Sequence, residues 1–343
     1  QPEATRNTLE RRLDANGEIK LDDINITKEQ LDKINKIYIV ACGTAYNAGL
    51  VGKHAVERFL KVPVVTDIAS EFRYSDPFVD ASQSGETADT LSVLREAKAK
   101  GATVLSIANV VGSSIARESD YTLYTWAGPE IAVASTKAYT TQIVAFVMIA
   151  LDFALKKGTI TKEEYMNYIE ELKAIPEQVT EVLKCEEQIK EISKQLVDKN
   201  DIFYLGRGLD YSTAMEGALK IKEISYTHAE AFAAGELKHG TIALIEEGVP
   251  VIVLATQQRL FEKMLSNMQE VKARGANVIS ITEVTNKEVE KSSDSVIYIP
   301  EVDNILAGIL SVIPLQLLAY YVAKERGCDI DKPRNLAKSV TVE

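Results

Sequence analysis

The sequence predicts an α/β protein made of two tandem subdomains, each a parallel sheet flanked by helices. Two segments, Ile37–Gly43 and Ile202–Gly208, each run from an apolar strand into glycine and then into a helical pattern. Strands alternate with helices along both halves, which is typical of βαβ units and a parallel sheet. Each half also closes with a long apolar helix.

The repeat continues through the later strands of each half. Gly101–Ile107 matches Gly275–Ile281, and Ser119–Tyr124 matches Ser293–Tyr298. Ligands of such sheets bind beyond the carboxyl ends of the strands, so the glycine-rich strand ends mark where a site is expected. Thr161–Lys199 lies between the halves, is rich in charge and helix formers, and is predicted to form one or two connecting helices.

The closing helices are predicted at about Thr136–Leu155 and Asn304–Glu325. Within them, Gln142–Leu151 and Ile305–Ala323 carry no charge, and the second run is nearly long enough to span a bilayer. No basic cluster flanks it. We therefore expect the second run to be a buried core helix, with both helices packed inside an oligomer or between domains, and no membrane association.

The two halves differ in length. Gly101 and Gly275 are 174 positions apart, whereas Gly43 and Gly206 are only 163 apart, so the first half is 11 residues shorter by this count.

The residues missing from the first half correspond to a strand of the second half. The second half contains the apolar run Val249–Leu254, and the first half has no such run before its hydroxyl-rich turn. This predicts residues missing between Val79 and Ala81, either closed up in the numbering or lost from a misassembled sequence.

Composition limits the function. The chain has 343 residues, 46% of them hydrophobic, which is enough for two ordinary domains. Its net charge of −11 argues against a nucleic-acid or anionic-membrane binder. Cys42, Cys185 and Cys328 lack a CxxC spacing and are expected to be reduced, as in a cytosolic protein. Three histidines make a His-rich metal site unexpected, and no GxGxxG motif favours a dinucleotide. The polar N-terminus, Gln1–Asn25, predicts no signal peptide.

Two patterns carry candidate chemistry. Ser82–Thr87 places hydroxyls and a glycine directly before a helical pattern, which suits either a phosphate or a plain helix cap. Glu216, Lys220 and Glu223 lie at i, i+4 and i+7 and share a helix face. On spacing alone, a solvated ion pair between Glu216 and Lys220 is preferred there.

Six motifs in order resemble one family, the isomerase half of glutamine–fructose-6-phosphate aminotransferases (glucosamine-6-phosphate synthases), which contains two sugar isomerase (SIS) subdomains. The motifs are Cys42–Thr44, Ser82–Thr87, Ala134–Lys137, Glu216–Glu223, Gly235–Gly240 and Pro333–Glu343. The resemblance covers nearly the whole chain. It implies a linker and helical segment at 1–36, SIS subdomains at 37–160 and 201–327, connecting helices at 161–200 and an active-site tail at 328–343.

The resemblance also implies which residues bind the sugar phosphate. Ser82, Gln83, Ser84 and Thr87 would hold the phosphate, and Thr44 and Ala45 would lie near the sugar, with alanine standing where the family frequently has serine. Val133 and Ala337 would offer backbone contacts.

The catalytic roles follow in the same way. Glu223 would move a proton between C1 and C2, Lys220 would assist as a second cation, and His239 would open the sugar ring. Lys338 would form a Schiff base with the keto sugar. In family dimers the His239 loop enters the partner's site, which implies a homodimer.

The implied activity is the conversion of fructose 6-phosphate to glucosamine 6-phosphate with ammonia, without metal or cofactor, in the cytoplasm. Nothing matches the family's glutaminase domain, so the chain should not hydrolyse glutamine and alone would interconvert fructose 6-phosphate and glucose 6-phosphate. The alternatives are a sugar-phosphate-binding sensor, a deglycase or dehydratase of amino-sugar phosphates, and an inactive interaction module.

Overall fold

The computed structural model describes residues 1–72 and 87–340, and the chain divides into two compact units. Unit 1 comprises Gln1–Ile131, Ser135–Pro176 and Ala337–Glu343, and unit 2 comprises Ala132–Ala134 and Glu177–Leu336. Of the predicted tail, residues 337–343 thus group with the N-terminal half of the sequence and residues 328–336 with unit 2. Residues Ser82, Gln83 and Ser84 lie outside the described residues, as does the predicted gap between Val79 and Ala81.

Unit 1 contains the first four strands and most of the early helices. Its strands are β1 Ile37–Ala41, β2 Val64–Ile68, β3 Leu105–Ala108 and β4 Tyr121–Tyr124. Its helices are α1 Pro2–Glu10, α2 Lys28–Lys33, α3 Gly43–Leu60, α4 Ala69–Phe72, α5 Ala88–Ala99, α6 Ser114–Glu118, α7 Lys137–Lys157 and the first part of α8 Lys162–Val182. The strands pair in parallel as two separate two-stranded sheets, β1 with β2 and β3 with β4.

Unit 2 contains one five-stranded parallel sheet in the order β6-β5-β7-β8-β9. Its strands are β5 Asp201–Gly206, β6 His228–Ala233, β7 Pro250–Ala255, β8 Asn277–Glu283 and β9 Ser295–Ile299. Its helices are α9 Glu186–Lys194, α10 Leu209–Ser225, α11 Phe261–Lys272 and α12 Ala307–Glu325. Short 3₁₀ turns lie at Leu183–Cys185, Glu236–His239, Thr241–Leu244, Gln258–Leu260 and Lys287–Ser292. The predicted parallel sheets flanked by helices are confirmed.

The two long apolar helices are core helices. Helices α7 and α12 are long and apolar enough to cross a membrane, but 94% and 83% of their most apolar windows are buried. Helix α7 packs against α3 inside unit 1, and α12 packs against α10 and α9 inside unit 2. The expected buried core helix is confirmed, and the expectation that an oligomer or a domain boundary adds to this burial stays a prediction.

The positions of two glycines correct the length comparison. Gly43 and Gly208 both have positive φ, 52° and 59°, and each lies where a helix follows a strand. Gly43 therefore corresponds to Gly208 rather than to Gly206, and the offset there is 165 positions. Since the later strands are offset by 174, unit 1 is nine residues shorter, not 11.

Candidate functional site

Helix α10 carries a buried cluster of opposite charges. The Nζ atom of Lys220 lies 3.4 Å from Oε1 of Glu216 and 2.5 Å from Oε2 of Glu223. The side chains of Glu216 and Lys220 are 0% and 2% exposed, whereas that of Glu223 is 22% exposed. The preference for a solvated ion pair at these positions is therefore wrong. Glu223 is the member of the cluster that solvent or a ligand can reach.

The environment keeps Lys220 charged. Burial alone would lower the pKa of Lys220, but the charges of Glu216 and Glu223 and their hydrogen bonds outweigh it, so the pKa is raised. Lys222, on the same helix, is exposed, as expected from its 100° rotation away from the cluster. An ammonium held in this way can stabilise negative charge that develops on a bound molecule.

The start of α10 holds a second buried carboxylate, which the sequence analysis missed. Asp210 accepts hydrogen bonds from the backbone N–H and from Oγ1 of Thr256, at 2.8 and 2.5 Å. Burial raises the pKa of Asp210 to about 6, against the opposing hydrogen bonds from Thr256 and Gln257. These bonds tie the first turn of α10 to the residue that follows β7. An acidic residue in a helix's first turn is a signal for such capping, but the sequence does not show that Thr256 is its partner.

His239 lies on the exposed end of a 3₁₀ turn. Leu237 is buried and anchors the turn, and Lys238 pairs with Glu270 at 2.5 Å. Gly240 follows with φ of 149°, which ends the turn abruptly. The turn therefore presents His239 to solvent on this chain.

In unit 1, the predicted sugar-binding residues lie at the starts of helices. Thr44 and Ala45 are in the first turn of α3 and are buried, at 8% and 5% exposure. Thr87 is the N-cap residue of α5. The N–H groups at a helix N-terminus favour anions, so both helix starts suit a bound phosphate.

The C-terminal tail reaches the same helix start. The carbonyl of Val340 accepts a hydrogen bond of 3.1 Å from the N–H of Ala88, the first residue of α5. Ala337 and Lys338 precede it in the same unit, and both are exposed. The structure thus brings the predicted tail next to Thr87.

The first part of the tail, residues 328–336, is held by contacts inside unit 2. The N–H of Arg334 donates to the hydroxyl of Tyr226 at 2.9 Å, and its guanidinium lies 4.1 Å from the centre of that ring. The N–H of Val133 donates to the carbonyl of Asp331 at 2.9 Å. Val133 thus uses its backbone N–H to hold this segment. Among the described residues, no group of three or more His, Cys, Asp or Glu side chains could hold a metal ion.

Comparison with known families identifies the class of protein. The SIS domain profile matches residues 30–152 and 195–326, which together exceed half of the chain. The chain therefore belongs to the SIS domain family and carries two copies of the domain, as predicted.

Comparison with solved structures identifies the family within that class. The C-terminal domain of glucosamine-fructose-6-phosphate aminotransferase from Francisella tularensis is 45% identical, with a TM-score of 0.92 over 97% of this chain and 95% of that one. The chain belongs to the family of these aminotransferase C-terminal domains. A glucosamine-6-phosphate deaminase from Thermotoga maritima, 24% identical with a TM-score of 0.73, shares the fold.

Full-length relatives extend beyond this chain. Glutamine–fructose-6-phosphate aminotransferases (isomerizing) from Caldanaerobacter subterraneus subsp. tengcongensis and Clostridium tetani are each 59% identical over the whole chain, which spans 58% of their length. Both alignments are 350 positions long, and the chain has 343 residues. At least seven positions are therefore occupied only in the relatives.

Proposed function

We propose that this chain is an isomerase domain that acts on fructose 6-phosphate and, with ammonia, forms glucosamine 6-phosphate. The observation that carries the proposal is the buried cluster of Glu216, Lys220 and Glu223 on α10. At the 165-position offset, α3 has Val51 and Ala55 in place of Glu216 and Lys220, and both are buried. The fold therefore accepts apolar residues at these places, and charge there needs a chemical reason.

In the proposed reaction, His239 transfers the proton that opens the sugar ring, and Lys338 condenses with the C2 carbonyl, releasing water. Ammonia then displaces Lys338 from the C2 imine. Glu223 takes a proton from C1 and returns it to C2, while the imine nitrogen gains a proton and the O1 hydroxyl loses one, which leaves an amino group on C2 and an aldehyde at C1. The raised pKa of Lys220 supports a role as the ammonium that stabilises the negative charge formed between the two proton transfers.

Ser82, Gln83, Ser84 and Thr87 are proposed to bind the phosphate, with Thr44, Ala45, Val133 and Ala337 beside the sugar. The bond between Val340 and Ala88 supports this assignment, since it keeps the tail near Thr87. We further propose a cytoplasmic homodimer in which the exposed His239 turn enters the partner's site, and a glutaminase domain as the ammonia source. A monomer in sedimentation experiments with substrate would contradict the shared site.

A coupled assay for glucose 6-phosphate formed from fructose 6-phosphate tests the proposal. Glu223→Gln is expected to lose at least a hundredfold in kcat, because the amide cannot accept the C1 proton. Lys222→Ala, exposed on the same helix, is the matched control and should retain activity. Substrate binding without turnover in the unaltered chain would favour the sensor, and turnover by Glu223→Gln would refute the assigned base.

Reductive trapping tests the role of Lys338 separately. Borohydride added with fructose 6-phosphate should attach the sugar to the peptide that contains Lys338. Lys338→Ala should abolish this adduct, and Lys332→Ala, also exposed and in the tail, should not. An adduct at another lysine would remove Lys338 from the mechanism.

A further inference from the structure

The turn that carries His239 is attached to helix α11 by two neighbouring residues. Leu237 is 1% exposed and belongs to the same apolar cluster as Met268 of α11. The Nζ atom of Lys238 lies 2.5 Å from Oε1 of Glu270, which is also on α11. The side chain of His239 is itself exposed, so the turn, rather than packing around the ring, determines where the imidazole lies.

A buried amide extends this attachment to the end of β5. Asn267 is 1% exposed, and its Nδ2 donates a hydrogen bond of 3.2 Å to Oε2 of Glu270. Its Oδ1 accepts a hydrogen bond of 2.9 Å from Nε of Arg207, the residue that follows β5. The guanidinium of Arg207 packs against Gly235, where a Cβ atom would lie 2.9 Å from a guanidinium nitrogen. The network of Arg207, Asn267, Glu270 and Lys238 therefore contacts the turn near both of its ends.

The fold does not require an amide at position 267. A buried amide loses its hydrogen bonds to water and costs stability unless its polar atoms find partners. At the 174-position offset, helix α5 of unit 1 has Val93 in this place, and Val93 is also 1% exposed. Since an apolar side chain fills the equivalent position, the amide of Asn267 is explained by the two bonds that it makes.

The pair of Lys238 and Glu270 acts on geometry more than on stability. Its side chains are 49% and 26% exposed, and ion pairs of this kind add little to the free energy of unfolding. The pair does tie the residue next to His239 to a helix. A displacement of about 1 Å can cost a catalytic group roughly a hundredfold in rate, so such a tie matters to a proton donor.

We propose that Glu270 and Asn267 are positioning residues that hold His239, through Lys238, in the place that opening of the sugar ring requires. The inference rests on the proposed function, in which His239 transfers that proton. Glu270 and Asn267 act through the turn.

An open-chain substrate separates ring opening from the later proton transfer. 5-Deoxyfructose 6-phosphate lacks the C5 hydroxyl and its C6 oxygen is esterified by phosphate, so it cannot close a ring. The measurement is the exchange of a C1 proton for solvent deuterium, followed by NMR, with this compound and with fructose 6-phosphate. His239→Ala provides the reference pattern, a loss with fructose 6-phosphate and none with the open-chain compound.

Glu270→Gln breaks the pair with Lys238 while keeping the length of the side chain. A displaced acid–base group loses part of its contribution of about 10²–10⁴, so we expect kcat for exchange with fructose 6-phosphate to fall about tenfold. The rate with the open-chain compound should not change. The control is Lys272→Gln, which breaks the 2.5 Å pair with Asp294 from the same helix and should alter neither rate. Equal losses with both substrates, or no loss with either, would overturn the proposal.

Hydrogen exchange measures the turn without a substrate. The amides of residues 235–245 should exchange about threefold faster in Glu270→Gln than in Lys272→Gln, as expected for the loss of a partly exposed ion pair. Strand β8 is the internal reference. Equal exchange in the two variants would overturn the proposal whether or not the chain is active. No exchange of a C1 proton by the unaltered chain with either substrate would refute the proposed function, and the inference with it.

Discussion

The charged cluster on α10 makes a quantitative prediction about stability. Glu216→Gln removes one negative charge from beside Lys220 while keeping the shape of the side chain. Breaking a buried ion pair at one partner costs about 3–5 kcal/mol, because the other charge stays buried. Lys220 retains Glu223 at 2.5 Å, and Glu223 is partly exposed, so the lower end applies. We expect a loss of about 3 kcal/mol, roughly a hundredfold in the folding equilibrium.

The pH dependence distinguishes this electrostatic loss from a packing defect. The pKa of Lys220 is raised above its ordinary value of 10.5, so its contribution to stability is fully present below that value. The contribution is lost as the pH rises through the folded-state pKa. The difference in the free energy of unfolding between the unaltered chain and Glu216→Gln should therefore shrink at strongly alkaline pH.

Urea unfolding followed by circular dichroism, at pH 8 and above pH 10.5, measures both effects. The control is Glu191→Gln on α9, where the exposed carboxylate lies 2.7 Å from Lys194 and its loss should leave the midpoint unchanged. A companion variant, Glu216→Leu with Lys220→Met, removes both charges and should recover most of the stability. An unchanged midpoint in Glu216→Gln, or a loss that persists undiminished at alkaline pH, would refute the reasoning.

Three further predictions concern the ends of α10. Asp210→Asn should flatten the pH dependence of unfolding. The pKa of Asp210 is raised to about 6, so its ionisation destabilises the fold as the pH rises from about 4 to above 6. The total loss in the free energy of unfolding is about 3 kcal/mol. An equally steep dependence of the urea midpoint on pH in the variant would contradict this. Gly208→Ala should lower the melting temperature, with a cost of about 1–3 kcal/mol, because a side chain there must adopt φ of 59° and ψ of −127°; an unchanged melting temperature would refute it. Tyr226→Phe should speed limited proteolysis of the tail by removing the acceptor for the N–H of Arg334, and an unchanged cleavage rate would show that this bond does not hold the tail.

The sequence predicted the repeated architecture because each strand and helix start carries a local signal. Gly43 and Gly208 mark two such starts, and their positive φ values explain why glycine is needed there. The count of missing residues was wrong by two because Gly206, the last residue of β5, was matched instead. Sequence alone does not distinguish a strand-ending glycine from a helix-starting one.

Burial was the property that the sequence could not supply. The i, i+4 spacing of Glu216 and Lys220 is the same for a solvated pair and for a buried one, and the packing of α12 and the sheet against α10 decides between them. The pair formed by Asp210 and Thr256 joins residues 46 positions apart, so no local pattern reports it. Long-range contacts of this kind determine the geometry of the site, and the spacing of residues in the sequence does not report them.

The repeat also suggests why the proposed phosphate site lies in unit 1 and not in unit 2. At offsets of 165 and 174, Asp210 corresponds to Ala45 and Thr256 to Ser82. In unit 2, the Asp210 carboxylate takes the N–H and hydroxyl donors of Thr256, which are the donors a phosphate would use. Ala45 carries no such carboxylate, and under the proposed function the phosphate takes this anion position.

The substitution Ala45→Asp should therefore reproduce the closed arrangement of unit 2 and compete with the sugar phosphate. We expect the KM for fructose 6-phosphate to rise at least tenfold, with a smaller change in kcat, since like charges at one anion site repel each other. Ala45→Asn has nearly the same shape without the charge, and it separates repulsion from crowding. If both variants raise KM equally, bulk rather than charge is responsible, and the correspondence between the Asp210 carboxylate and the phosphate fails.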